Sequence, residues 1–317
     1  MAVTTRELRV ETSTVCNYRC VMCAHATLAR RREVMPDALF ARIIEMAGAE
    51  LPQLELCTVS GFGEFAADPR WQHKLELARA RFPRVHVVTN LSLVRDDALE
   101  ALASLATEVR VSVYAVDGET YRRVHRPPES VSYRIIEARI VRLAELRRRT
   151  GLTLGLTCCE LDENRAQVPR WIERWEGVAD HLEVWRPHNW VDGRRYRSIA
   201  GERIASCGRP ASGPLQVQVD GTMNVCCFDF DGKMVIGDLG RQTFTEILEG
   251  PELRRVRGLH AAGRADELAL CAVCDQREPP SRKQAHLLHC SRSPAPDRIL
   301  RTSSGMERLP DPGPKKR

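Results

Sequence analysis

The stretch LRVETSTVCNYRCVMC, residues 8–23, decides the fold. It opens as a short strand and runs straight into a loop carrying Cys16, Cys20 and Cys23. Downstream the strand half of the pattern returns five times, as LELCTVS, VHVVTN, VRVSVYA, LTLGLTCCE and HLEVWRP. Helical periodicity fills the gaps, near 36–49, 70–81, 96–105, 132–149 and 165–176. Strands alternating with helices predict a parallel sheet with right-handed crossovers. Six units fall short of the eight that close a barrel. The expected fold is therefore α/β, a partial (β/α)6 barrel of the triosephosphate isomerase type over residues 1–200.

Beyond that point PLQVQVDGTMNVCCF predicts two strands around an Asp220-Gly221 turn, followed by a helical stretch from Thr243 to about His260. This is read as a second, smaller domain over 201–277. From Glu278 onward Pro, Ser, Arg and Lys dominate, so 278–317 is expected to be mostly disordered. The 317 residues carry a net charge of +6 with 28% charged and 43% hydrophobic residues, which favours neither global disorder nor a nucleic-acid partner. No apolar run is long enough for a membrane span, and MAVTTRELRV has no signal core, so a cytoplasmic protein without membrane contact is expected. Twelve cysteines in a reducing compartment point to metal rather than disulfides.

Cys16, Cys20 and Cys23 sit directly after the first strand, at the mouth where barrel enzymes place their chemistry. Three thiolates hold three irons of a cubane 4Fe-4S cluster and leave the fourth open, whereas zinc wants a fourth protein ligand and none is near in sequence. Cys207, Cys226, Cys271 and Cys274 supply four more thiolates, and spacing alone leaves a second 4Fe-4S cluster and a four-cysteine zinc site both open. Cys227 cannot point the same way as Cys226 from a strand and reads as a packed thiol. Cys57, Cys158 and Cys159 read as core, with one of the last pair as an alternative hydrogen donor.

The C-x3-C-x2-C loop resembles that of the radical S-adenosylmethionine (radical SAM) enzymes, in which SAM chelates the open iron, and the likeness runs to about residue 276. Ser60-Gly61-Phe62-Gly63-Glu64 resembles the family's glycine-rich segment ending in Glu, which implies that Gly63 lets the backbone approach SAM and that Glu64 accepts from its ammonium. Asn90 resembles an element near the ribose, and Ser112 and Arg126 resemble positions that hold the ribose or carboxylate. Met22 stands where many members have an aromatic residue, and GEFAADP lacks the usual Pro after Glu; neither touches cluster ligation. The C-terminal unit resembles the twitch domain, a shortened SPASM domain, which implies an auxiliary 4Fe-4S cluster. Only Cys290 remains downstream, so one auxiliary cluster is expected.

The whole chain resembles the twitch-containing dehydrogenases of aminoglycoside biosynthesis. The resemblance implies a 5′-deoxyadenosyl radical that abstracts hydrogen from a secondary alcohol of an aminocyclitol or amino sugar, in antibiotic biosynthesis. The auxiliary cluster would take the second electron, and a flavodoxin or ferredoxin would be the electron donor. Glu160 and His188 at strand ends are candidate catalytic groups, and Glu183 and Arg186 candidate substrate contacts. Alternatives are an epimerase, a peptide-modifying maturase, disfavoured because Met1 to Glu11 is too short for a leader-binding domain, and a zinc-binding regulatory protein.

Overall fold

The computed structural model describes residues 5–194 and 203–277, and beyond them the backbone of three short strands. The first part runs β1 (Glu7–Val10), α1 (Asp37–Glu50), β2 (Leu56–Val59), α2 (Trp71–Arg81), β3 (Arg84–Thr89), α3 (Leu99–Leu105), β4 (Glu108–Ser112), α4 (Gly118–His125), α5 (Tyr133–Thr150), β5 (Thr153–Cys159), α6 (Val168–Trp175) and β6 (His181–Trp185). β1 to β6 lie side by side in chain order, all parallel. This is the expected partial barrel. α5 shows why the helices form: Ser132 caps it by accepting from the Ile135 amide, Gly151 ends it at φ 74°, and Ile136, Ile140, Leu143 and Leu146 repeat along one buried stripe. α4 was not anticipated; Asp117 caps it through the Thr120 amide, a three-residue offset that marks a helix start.

Alternation along the strands sorts the two faces. Leu8, Val10, Val85, Val87, Val109, Val111 and Leu182 are fully buried and carry the apolar core, each contributing about 1.5–3 kcal/mol. The intervening positions, Glu7, Arg9, His86, Glu108, Arg110 and Glu183, are polar and share the other face, the lumen. Gly155 of β5 is required here, because a Cβ would meet the His181 ring at 2.2 Å.

The second unit is continuous with this sheet rather than separate from it. β7 (Leu215–Val217), after the one-turn α7 (Arg209–Ser212), pairs parallel with β1, and β8 (Thr222–Asn224) and β9 (Val235–Asp238) extend the sheet antiparallel. β9 is a strand beyond the two expected. The helical stretch from Thr243 divides at Gly250-Pro251 into α8 (Phe244–Leu248) and α9 (Pro251–Ala261), followed by α10 (Ala269–Val273). Within 278–317 the backbone of β10 (Ala285–His289) pairs antiparallel with β6, and β11 (Ile299–Thr302) and β12 (Gly305–Arg308) pair with each other. The remainder of 278–317, Cys290 included, and the junction at 195–202 lie outside the described residues. No helix among the described residues is long and apolar enough to cross a membrane.

Candidate functional site

The loop after β1 is pinned from two sides. Val21 and Arg19 amides donate to the carbonyls of Val124 (3.0 Å) and His125 (3.3 Å), so the C-terminal end of α4 docks on the cysteine loop. On the other side the Gly63 amide donates to Ser13 O (3.1 Å) and the Glu64 amide to Val15 O (2.8 Å). That approach is why residue 63 is glycine: a Cβ would lie 2.3 Å from the Ser13 carbonyl oxygen. Within the loop the Tyr18 amide donates to Cys16 Sγ (3.5 Å) and the His25 amide to Cys23 Sγ (3.4 Å), while Cys20 Sγ faces His125 Nδ1 at 3.4 Å. Burial pushes the Cys16 thiol up to about 12 and raises Cys20 and Cys23 as well. Such a pocket disfavours bare thiolates; coordination to metal is what deprotonates them.

Glu64 is buried and committed. Its Oε1 accepts from Thr89 Oγ1 (2.5 Å) and its Oε2 from the Asn90 amide (2.7 Å), tying the end of β3 to the glycine-rich segment. Burial pushes its carboxyl up to about 7 against those hydrogen bonds. Asn90 Nδ2 in turn donates to Asn17 Oδ1 (3.2 Å) and approaches Cys16 Sγ at 3.9 Å. An ammonium at Glu64 would have to share oxygens already in use. Ser112 Oγ accepts from Thr157 Oγ1 (3.3 Å) on the neighbouring strand, and Arg126 is the exposed left-handed C-cap of α4, at φ 47°.

Cys207, Cys226, Cys271 and Cys274 line one pocket in the second unit. The Phe228 amide donates to Cys226 Sγ (3.5 Å), the Gln276 amide to Cys274 Sγ (3.4 Å), and Cys271 Sγ lies 3.5 Å from His260 Nε2. Arg203 holds the Cys271–Cys274 turn by donating to the carbonyls of Cys271 (2.8 Å), Cys274 (2.9 Å) and Ala272. Arg209 stands among the sulfurs: burial works to lower its pKa, but Cys227, Cys226, Cys207 and Cys274 outweigh it and raise the guanidinium above its ordinary value. Cys227 lies outside the pocket, half-buried rather than packed in the core. The hydrogen bond from the Cys226 thiol, with Arg209 and Arg9 acting against burial, holds its thiol down. Among the described residues no three His, Cys, Asp or Glu side chains converge as ligands of one metal ion would. Soft thiolates, three in one centre and four in the other, are the donor sets of iron–sulfur clusters.

The two centres are joined in two ways. Glu11, at the end of β1, is bidentate with Arg30 (2.6 and 3.0 Å) and accepts from the amides of Phe62 (2.9 Å) and Val219 (3.2 Å), while Arg30 Nε donates to Phe230 O (2.6 Å). Phe62, Trp190, Phe228 and Phe230 build an aromatic wall with ring centroids 5.4–6.0 Å apart, and Trp190 Nε1 donates to Met22 O (2.8 Å). A cavity of about 550 Å³ occupies the lumen, lined by Glu7, Arg9, Thr58, His86, Arg110 and Trp185. It reaches Ser60 of the glycine-rich segment and also Cys207 and Arg209 of the second centre.

Residues 10–169 match the radical SAM superfamily. The chain belongs to that superfamily. Residues 207–275 match the SPASM iron–sulfur cluster-binding domain. No curated protein matches the chain. Among solved structures, BtrN in complex with AdoMet and 2-DOIA is similar at a TM-score of 0.63 and 18% identity, over 86% of this chain and 94% of that one. Streptococcus suis SuiB bound to S-adenosylmethionine gives a TM-score of 0.64 at 12% identity, over 80% of this chain and 68% of that one. Native anSMEcpe with bound AdoMet gives 0.61 at 15% identity, over 92% of this chain and 93% of that one. These likenesses show a shared fold. As a radical SAM enzyme the chain uses a 4Fe-4S cluster and SAM, and its SPASM domain implies auxiliary iron–sulfur.

The radical SAM chain does not bring the candidate catalytic and substrate groups together in the lumen. Glu160 pairs with Arg165 (3.0 Å), and His188 packs on Phe228 and accepts from Gln276 Nε2 (3.0 Å). Arg186, half-buried after β6, is likewise not among the cavity-lining residues. Glu183 is buried under the lumen network, 3.3 Å from Arg110 Nη1 and accepting from Trp185 Nε1 (2.9 Å). Cys57, Cys158 and Cys159 are buried, Cys159 beneath Val21, Met22 and Tyr114. The lumen residues Glu7, Arg9, His86 and Arg110 were missed. Their signal was present as charge alternating with aliphatics in ELRV, RVHVV and EVRVS.

Proposed function

We propose that this radical SAM enzyme is a dehydrogenase that oxidises a secondary alcohol of a small polyhydroxylated amine, an aminocyclitol or amino sugar, in antibiotic biosynthesis. The observation that carries the reading is the lumen cavity, whose wall includes charged side chains of the strands, Ser60 of the glycine-rich segment and Cys207 of the second centre. A substrate there would meet Ser60 of the glycine-rich segment and Cys207 and Arg209 of the second unit. The complex of BtrN with AdoMet and 2-DOIA is consistent with a small molecule in the equivalent fold. Cys16, Cys20 and Cys23 would ligate the first cluster and Cys207, Cys226, Cys271 and Cys274 a single auxiliary one.

When bound, the first cluster with SAM supplies abstraction of a hydrogen atom from carbon. The chain's own groups handle the rest. Alcohol oxidation then sheds a proton and an electron. Burial lowers the pKa of His86, leaving a neutral imidazole in the cavity wall placed to take the proton. Burial raises Glu108, but the hydrogen bond from His181 and the Arg110 guanidinium outweigh it and hold the carboxyl at about 2, so it stays ionised as the counter-ion of Arg110 in the cavity wall. The electron would go to the auxiliary cluster that Cys207, Cys226, Cys271 and Cys274 would hold, and Cys207 lines the cavity. Phe62, Trp190 and Phe230 pack with Ala24 and Leu28 in a small apolar cluster beside the cysteine loop.

The test is turnover of the anaerobically reconstituted enzyme with candidate aminocyclitols in heavy water. A product two hydrogens lighter, without carbon-bound deuterium, supports oxidation. An isomer carrying one deuterium assigns epimerisation instead, with Cys158 or Cys159 as donor; their burial speaks against it.

A further inference from the structure

Cys16 and Cys23 each accept from the amide two residues along, but Cys20 Sγ faces a side chain, His125 Nδ1 at 3.4 Å. The other ring nitrogen settles which tautomer is present. The Tyr114 amide donates to His125 Nε2 at 3.0 Å, and a nitrogen that accepts from an amide carries no proton. The ring is therefore neutral with its proton on Nδ1, directed at Cys20. Nor can the ring turn away. It is 1% exposed and packed between Tyr114 and Tyr121, with centroids at 4.6 and 4.7 Å, and Tyr18 stands edge-on at 5.8 Å. Since the backbone of Val124 and His125 holds the loop amides of Val21 and Arg19, donor and thiol are fixed by one set of contacts.

We infer that His125 is a positioning residue that donates an Nδ1–H hydrogen bond to the Cys20 thiolate of the first cluster and raises that cluster's reduction potential. A donor at sulfur withdraws charge from it and favours the more negative, reduced cluster. The inference rests on the reading of Cys20 as a cluster ligand. Its consequence is that the enzyme is reduced by a weaker donor than the same cluster would need without the imidazole.

Potentiometric EPR on the full-length reconstituted enzyme tests it, following the signal that responds to added SAM. In His125→Phe the equilibrium constant for one-electron reduction should fall about tenfold, a shift of about 59 mV to more negative potential. His125→Asn, whose carboxamide can present an N–H near the position of Nδ1, should recover most of that loss. An unshifted potential in the Phe variant at full iron content overturns the inference. If the Phe variant loses iron, pulsed EPR on the wild-type enzyme with ring-15N histidine decides: a nitrogen coupling on the SAM-responsive signal supports the hydrogen bond, and its absence overturns it. Cys20→Ala separates the two readings. Retention of the first cluster there removes the ligand assignment itself, whereas its loss, with an unshifted Phe variant, removes only the role of His125.

Discussion

The two cysteine centres solve one problem at different ranges. Cys16, Cys20 and Cys23 occupy a single loop, so their approach costs little chain entropy and the rest of the fold only has to pin that loop. The second set spreads from Cys207 to Cys274. Its span is roughly three doublings longer, which costs about 2 kcal/mol more in loop closure. The structure adds side-chain clamps to match: Arg203 on three carbonyls of the Cys271–Cys274 turn and Arg209 among the sulfurs. Yet both centres repeat a local device, an amide two residues on donating to sulfur at Cys16, Cys23, Cys226 and Cys274, with a histidine at one remaining sulfur. The histidines differ. A backbone amide locks His125, whereas His260 is held by the rotatable hydroxyl of Ser206 (2.9 Å). The histidine at the first centre is held by main chain, and the one at the second by a side chain.

The largest effect should come from removing ligands. The reconstituted enzyme should carry about eight irons and eight sulfides per chain. Replacing Cys16, Cys20 and Cys23 by Ala should remove about half the iron and all formation of 5′-deoxyadenosine. Cys271→Ala with Cys274→Ala should remove the other half while SAM cleavage survives. Continued 5′-deoxyadenosine from the first variant would break the division of roles between the centres.

Next in size is the joint between them. Arg30→Ala leaves Glu11 buried without its cation, and breaking a buried pair costs about 3–5 kcal/mol. Thermal unfolding should fall accordingly, and a drop under about 1 kcal/mol would mean that the two units are not coupled through this pair.

Arg203→Ala sharpens the contrast further. Charge-assisted hydrogen bonds are worth about 1.5–3 kcal/mol, so loosening the Cys271–Cys274 turn should speed loss of auxiliary iron to a chelator about tenfold while the first cluster is unaffected. Equal loss from both centres would contradict the separate clamping.

The smallest effect is at Glu64. Its Ala variant strands the Asn90 amide and the Thr89 hydroxyl, at about 1–3 kcal/mol. Its Gln variant keeps an acceptor and should be milder. Because the folded carboxyl titrates at about 7 against an ordinary 4.5, the folded chain holds a proton that the unfolded chain has released between those values. Stability should therefore decline as pH rises through that window, and Glu64→Gln should flatten the decline. An identical slope in wild type and variant would assign the pH dependence elsewhere.

The first centre was legible because its ligands are sequence neighbours, and the barrel because apolar periodicity reports each strand and helix locally. The lumen was legible in principle, since ELRV and EVRVS alternate charge with aliphatics, but the strand was read for its apolar half alone. α4 went unread because it is short and its buried stripe, Thr120, Tyr121, Val124 and His125, is half polar, although it holds the cysteine loop.

Spacing, periodicity and turn residues by themselves determined the six strand–helix units, the cluster-type thiol sets and the likeness to the radical SAM family. Only the tertiary structure decided that β7 joins the barrel sheet beside β1, that Glu64 spends its oxygens on Thr89 and Asn90, and that His125 meets Cys20. It also separated the lumen from Glu160 and His188. The physical reason is range: propensity and periodicity act within a few residues, whereas burial, tautomer and ion pairing depend on partners that only chain closure brings near.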